Sequence, residues 1–292
     1  MRQLPLEKRV MILNMLVEGV SMRAISRMVG CSINTVTKLL VSAGEACLDY
    51  HDATVVGLNS KRIECDEIWS FCYAKQRNAD AGGMPDWAGD VWTWTSIDAD
   101  SKLMCNWFVG GRDAEFANHF MLDLAARLNN RVQLTTDGRK PYLTAVDGAF
   151  GNDIDFAQLV KLYGQAPGGK GHGRKYSPAQ CNGAKKGVRT GNPDKAKVST
   201  SYAERQNLTM RMSMRRFTRL TNAFSKKFDN HCHALALYFV FYNFCRAHKT
   251  LGTSSAVAAG LTDAVRDMAW VVDLIDAAKP PKNRGPYKKI SK

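Results

Sequence analysis

The sequence predicts an α/β protein, a mixed sheet flanked by helices, behind an N-terminal all-α unit with a helix-turn-helix pattern. Three observations lead there. Segments 61–73, 90–98 and 102–109 are rich in aromatic and β-branched residues, as strands are. A helical pattern, a strand, a second helical pattern and a further strand follow, an alternation that builds a sheet with mixed pairing. Residues 6–43 instead hold three short helical patterns punctuated by glycine and serine.

In the first helical pattern, LEKRVMILNMLVEG, residues Val10, Leu13 and Val17 share a face, and Gly19 ends it. The second starts from Ser21 as N-cap. The third starts at Ser32 and is expected to stop near Gly44. Ile25, Ser26, Val29, Gly30, Val36 and Leu39 fall at helix-turn-helix spacing, with Gly30 making the turn. The outward residues of the third helix, Asn34, Thr35, Thr37 and Lys38, suit base edges and phosphates. Residues 1–45 are therefore expected to form a DNA-binding unit, joined by a connector at 46–60 that shows no clear periodicity.

After the three strands, Asp113 is placed to cap a helix over 114–128, with Phe116, Phe120, Leu124 and Leu128 on one face. RVQLTTDG (131–138) reads as a strand ending on an acid and a glycine, KPYLTAVDGAF as a helix and 156–164 as a strand. Residues 164–200 change character, with eight glycines and many lysines, and read as a mobile basic loop inserted in a unit spanning 61–250. GGKGHG within it lacks the G-K-[ST] ending of a phosphate loop. A long helix is expected from Thr200 through residue 220, another over 230–249, and a C-terminal helix with a basic tail over 251–292.

The formal charge is +14. A surplus of that size points to a polyanion partner, above all nucleic acid. It is concentrated: from Lys161 to Lys249 there are 18 Lys and Arg against the acids Asp194, Glu204 and Asp229. Eight scattered cysteines without a C-x-x-C pair argue against a zinc ribbon and suit a reducing cytoplasm. His231, Cys232 and His233 point to different faces of a helix, a poor zinc site. The longest uncharged apolar run, Ala234 to Cys245, is too short to span a bilayer. The tryptophans 69, 92, 94 and 107 read as sheet core.

Three acids stand out by position. Asp66 is mid-strand in RIECDEIWSF, Asp137 ends a strand before Gly138, and Glu204 lies in the first turns of a basic helix. Hard oxygen ligands on separate elements are what Mg²⁺ requires, and two such ions can clamp an in-line phosphoryl transfer. Strand alternation places Glu64, Asp66 and Ile68 on one face and Glu67 on the other. Asp66 and Glu67 are thus not expected to face one site together through an undistorted strand.

The order CDEIWSF, TTDG, STSYAERQNLTMRMSMRRFTRLTNAFSKK and YNFCRAHKTL resembles bacterial insertion-sequence transposases of the DDE type, and most resembles the family of insertion sequence one. The resemblance runs from the helix-turn-helix to about residue 276. It implies a ribonuclease-H-like fold in which Asp66, Asp137 and Glu204 are catalytic and bind two divalent ions, Mg²⁺ or Mn²⁺, which leaves Glu67 to pair with the basic helices or to support the ligands. It implies DNA contacts from Arg211, Arg215, Arg246 and His248, and double-stranded DNA, both transposon ends and target, as partner. A homo-oligomer, at least a dimer, and a bacterial cytoplasmic, nucleoid-associated location are implied with it. The chain departs from the family in lacking an N-terminal cysteine zinc finger and in having Thr253-Ser254-Ser255 where Thr-Pro is expected. The Asp137–Glu204 interval is also long. A stand-alone metal-dependent nuclease and a helix-turn-helix regulator with an inactive sheet domain are the alternatives.

Overall fold

A computed structural model describes residues 4–164, 181–218 and 222–278. The GGKGHG segment and the basic tail lie outside them. Three helices open the chain, α1 (Leu6–Val17), α2 (Met22–Val29) and α3 (Ile33–Thr54). Ser21 and Ser32 cap α2 and α3 by accepting from Ala24 N and Asn34 N, each at 3.2 Å. Gly30 makes the turn between them at φ +66°, where a side chain would be strained. Ile12, Ile25, Val29 and Val36 form a small apolar cluster of their own.

Helix α3 does not stop at Gly44. It continues through most of the expected connector, burying Cys47 and His51. The glycine there answers a packing need. A Cβ on Gly44 would lie 2.4 Å from His233 Cβ, on the helix α8 (Phe228–Val240) that crosses it. Without that side chain the two helices pack backbone to backbone.

The sheet comprises β1 (Arg62–Cys72), β2 (Gly89–Asp98), β3 (Met104–Gly110), β4 (Gln133–Asp137), β5 (Asp155–Tyr163) and β6 (Cys181–Thr190), in the order β3-β2-β1-β4-β5-β6. The β1/β4 and β4/β5 pairs are parallel and the others antiparallel. This is a six-stranded mixed sheet compatible with a ribonuclease-H-like arrangement. The short helix α4 (Gln76–Ala79) lies in the β1–β2 loop.

Helices cover both faces. Helices α5 (Ala114–Arg127) and α6 (Pro141–Phe150) pack on one, through Trp94 against Phe120 and Tyr142. Asp113 caps α5 as expected, accepting from Glu115 N and Phe116 N. On the other face lie α7 (Ser201–Ser213), α8 and the second half of α3, with Trp107 between His51 and Phe239. Trp94 is fully buried, whereas Trp69, Trp92 and Trp107 are half-buried.

Other expectations change. Residues 181–190, read as loop, form β6 along the sheet edge, because β5 offers them a pairing partner that glycine-rich composition conceals. Helix α7 ends at Ser213, short of residue 220, because Met214 and Phe217 turn into the core, with only 6% and 1% exposure. Helix α8 ends at Val240 in a π turn over Phe241–Cys245. That turn aims the Asn243 amide at the backbone of Met104, donating to its carbonyl at 3.0 Å and accepting from its N–H at 2.9 Å. Ser254 caps α9 (Ser255–Ala258) where proline was expected, and α10 (Met268–Ala278) returns to α1, where Arg9 meets Asp276 in a bidentate ion pair. No helix among the described residues is long and apolar enough to cross a membrane.

Gly44→Ala should destabilise the fold by on the order of 1–3 kcal/mol, because overpacking outweighs the ~1 kcal/mol gain in helix propensity. Urea denaturation measures it, and a stabilised variant would contradict the close α3–α8 crossing.

Candidate metal centre

The site forms where two parallel strands part. β1 pairs with β4 only from Arg62–Gln133 to Glu64–Thr135. Continued two places, the register would set Asp66 beside Asp137, but the backbones no longer pair there. β4 ends at Asp137, while β1 runs on beside β2. The gap outside strand ends is where α/β sheets admit ligands.

Carboxylate oxygens of Asp66, Glu67 and Asp137 lie within 4.8 Å of one another in that gap. This corrects the expectation that Asp66 and Glu67 cannot serve one site. The β1 strand is regular along β2, with no bulge. Beyond Glu64, however, its other edge carries no β4 backbone, so side chains from both faces can reach around it. Asp66 Oδ1 accepts from Glu67 N at 2.8 Å and Oδ2 from the Asn207 amide on α7 at 2.8 Å. Asp137 Oδ1 accepts from Arg139 N at 3.1 Å. Gln158 on β5 donates to the carbonyls of Asp137 and Arg139, holding the strand end in place.

Glu67 is the buried member. Its Oε2 takes both Nε and Nη2 of Arg112, at 3.2 and 2.8 Å, and sits 3.5 Å from Arg139 Nε. Its partners therefore come from the loops after β3 and β4, and not from the basic helices. Arg112 is steadied by stacking on Trp92, 3.7 Å from the ring centroid. The other oxygen, Oε1, is buried and has no hydrogen-bond partner among the described residues. A buried, unsatisfied carboxylate oxygen is costly unless something cationic completes it.

Burial and mutual repulsion show in the titration of the pair. Asp66 is raised from 3.8 to about 7, first by burial and then by Glu67, with Asp137 and Glu204 adding to it. Asp137 is raised to about 6, again by burial and then by Glu67, against the lowering influence of Arg139 and Arg112. Three close carboxylates, an unpartnered oxygen and two raised acids suit a hard divalent cation. Asp66, Asp137 and Glu67 are the residues that fit one.

Glu204 stands beside this cluster but outside it. It lies in the first turn of α7, close enough for its charge to bear on Asp66. Its carboxylate takes the Thr200 hydroxyl at 2.6 Å and Lys161 Nζ at 2.5 Å. Glu64 does what a cap would do. Its Oε2 accepts from Tyr202 N and Ala203 N at 2.7 and 3.2 Å, anchoring the start of α7 to β1. Glu64 and Asp66 thus share the α7 face, as alternation predicts.

The remaining predicted residues are dispersed. Asn34 and Lys38 are exposed on α3, while Thr35 and Thr37 are half-buried and the Thr37 hydroxyl bonds Ile33 O. Arg211 is half-buried in the last turn of α7 and Arg215 is exposed just beyond it. Arg246 follows the π turn. His248 packs edge-on against Tyr242, with burial lowering its pKa. His231 is spent on Ser225 and Ser70, at 2.9 and 3.4 Å. Sequence reading missed Asn207, Arg112, Arg139 and Lys161. Only Asn207, one turn after Glu204, carried a positional signal.

Because Asp66 and Asp137 titrate higher in the fold than unfolded, the stability they contribute is complete below about pH 4 and is lost as pH rises through 6 and 7. In EDTA, Tm should fall between pH 5 and 8. Asp66→Asn should raise metal-free stability at pH 8 by on the order of 1–3 kcal/mol, several degrees in Tm. An unchanged or lower Tm at pH 8 would contradict the repulsion.

No protein-family model matches the chain. No curated protein matches it. Among solved structures it is similar to a chain of the crystal structure of a pre-cleavage Mos1 transpososome, at 8% identity and a TM-score of 0.22. The match covers 53% of this chain and 60% of that one, so the chain spans less than two thirds of that neighbour. A likeness this slight carries no functional argument.

Proposed function

We propose that the chain is a DDE-type DNA transposase, with Asp66, Asp137 and Glu204 as catalytic carboxylates and two Mg²⁺ or Mn²⁺ ions as cofactor. One observation carries this reading: the two aspartates marked by the transposase-like motifs, far apart in sequence, meet at one strand gap with their carboxylates under 4.8 Å apart. Glu204 reaches the same neighbourhood on the helix that Asn207 ties to Asp66. Glu67, held by Arg112, is assigned a supporting place beside the ligands, with Oε1 open to a cation.

Bound divalent ions supply charge neutralisation and activation of the attacking oxygen for phosphoryl transfer. The protein's own groups orient the ligands. Asn207 and the Glu67 amide hold Asp66, and the Arg139 amide holds Asp137. Glu64 fixes the start of α7 and so the height of Glu204 against the sheet. Arg112 and Arg139 limit the negative charge that the gap must bear. Lys161, paired with Glu204, sets a cation at the rim where a DNA phosphate would pass.

In this reading, residues 1–45 bind the transposon ends through Asn34, Thr35, Thr37 and Lys38. Residues 61–250 cleave the 3′ ends and join them to target DNA. Arg211, Arg215, Arg246 and His248 line the DNA path, and the active assembly is at least a dimer. A bacterial cytoplasmic, nucleoid-associated location follows.

Asp66→Ala, Asp137→Ala and Glu204→Ala should each reduce strand transfer on labelled element ends at least 10³-fold, the scale of losing a charge-stabilising group, while leaving end binding within a few-fold. Near-normal transfer by any one variant would overturn its assignment. Metal-dependent cutting without joining would favour the nuclease alternative.

A further inference from the structure

Beyond Asp137 the sheet splits, and on the side away from β1 two strands continue. β4 ends opposite Leu159, and from there, among the described residues, β5 pairs with β6 alone. The pairs Val160–Lys185, Lys161–Ala184, Leu162–Gly183 and Tyr163–Cys181 continue as a ribbon past the acids. At about 3.3 Å per residue it projects about 13 Å, and a DNA major groove about 12 Å wide admits a two-stranded ribbon.

The ribbon is cationic and sparsely clothed. Residues 156–163 and 181–190 hold Lys161, Lys185, Lys186 and Arg189 and no carboxylate. Gly183 and Ala184 leave the outer strand thin, and among the described residues a Cβ on Gly183 would meet nothing within 4 Å. Apolar side chains stand open beside the lysines: Val160 is 36% exposed, Leu162 41%, Val188 41% and Tyr163 61%. Alternation sets Val160, Leu162 and Lys185 on one face and Lys161, Tyr163 and Lys186 on the other. Lysines on an edge strand also deter pairing with other sheets, but that role asks for charge alone and is opposed by exposed tyrosine, valine and leucine. Cations interleaved with apolar and aromatic groups match a duplex, whose phosphates take the charge and whose sugars and base edges take the rest.

We propose that the β5–β6 ribbon is a DNA-gripping arm that enters a groove of the duplex next to the catalytic acids. The identity of the partner rests on the transposase reading. Lys161 joins the base of the arm to α7 through Glu204, so a duplex held by the ribbon lies beside the strand gap. Arg189 is turned inward to Gln158, at 3.1 Å, and supports the strand end instead. Lys186 Nζ lies 2.7 Å from Lys195 O and so arches over the loop that follows β6.

The test is fluorescence-anisotropy titration of the full chain against a labelled 30-bp duplex in EDTA, over a series of salt concentrations. Lys185→Ala/Lys186→Ala should weaken binding at least tenfold at low salt and lower the slope of log K against log salt by about 2, roughly 0.9 for each phosphate that is no longer neutralised. Lys185→Arg/Lys186→Arg should restore both. Tyr163→Ala should weaken binding severalfold at an unchanged slope. A wild-type slope in the double alanine variant, with its Tm intact, would overturn the proposal, as would absence of duplex binding by the wild-type chain. Ribbon-dependent binding without any metal-dependent cleavage or joining would leave the arm standing and defeat the transposase reading instead.

Discussion

The structure around the gap depends on one electrostatic constraint, the confinement of Asp66, Glu67 and Asp137 where the β1 and β4 backbones part. Water solvates like charges poorly at this depth, so their repulsion is resolved by protonation, by arginine or by a metal ion. The fold uses two of these means itself. Arg112, braced on Trp92, and Arg139, just past Asp137, bear on Glu67. The remaining imbalance appears as the elevated pKa values of the two aspartates and as the unpartnered Glu67 Oε1. A site left short of positive charge in this way is under tension that a divalent cation relieves.

Helix α7 is organised around the same strand. Glu64 holds its first turn, Asn207 meets Asp66 one turn past Glu204, and Met210 buries beneath. The three acids of β1 therefore divide the work by position: one anchors the helix, one faces the gap, and one turns toward the arginines. The buried Asn207 on α7 is explained by this, because the helix is seated there on a carboxylate as well as on apolar side chains. On the far side, the long α3 carries the N-terminal helices onto α8, so the close crossing at Gly44 links the two halves of the chain.

Much of this was legible in the residues. Strand and helix periodicity located β1 to β5, α5 and α6, since each has a clear apolar face. Position set Asp66, Asp137 and Glu204 apart and the transposase resemblance selected them; the structure brings Asp66 and Asp137 together and leaves Glu204 outside their cluster. What failed had physical causes. Gly44 reads as a stop signal, yet it serves a close helix crossing that only tertiary structure reveals. β6 has almost no apolar content and exists through backbone pairing with β5. Of the two roles expected for Glu67, pairing with the basic helices is not the one seen, since Arg112 and Arg139 hold it. The arginines that hold it come from loops, where no periodicity announces a role. Asn243 was hidden inside a helical pattern that a π turn interrupts.

The strand gap is proposed as a divalent-metal centre built on Asp66 and Asp137. Isothermal titration of Mn²⁺ into the full chain at pH 7.5 tests it most directly. Binding should be saturable in the wild-type protein and lost in both Asp66→Asn and Asp137→Asn. Equal Mn²⁺ affinity in the wild-type protein and both variants would contradict it.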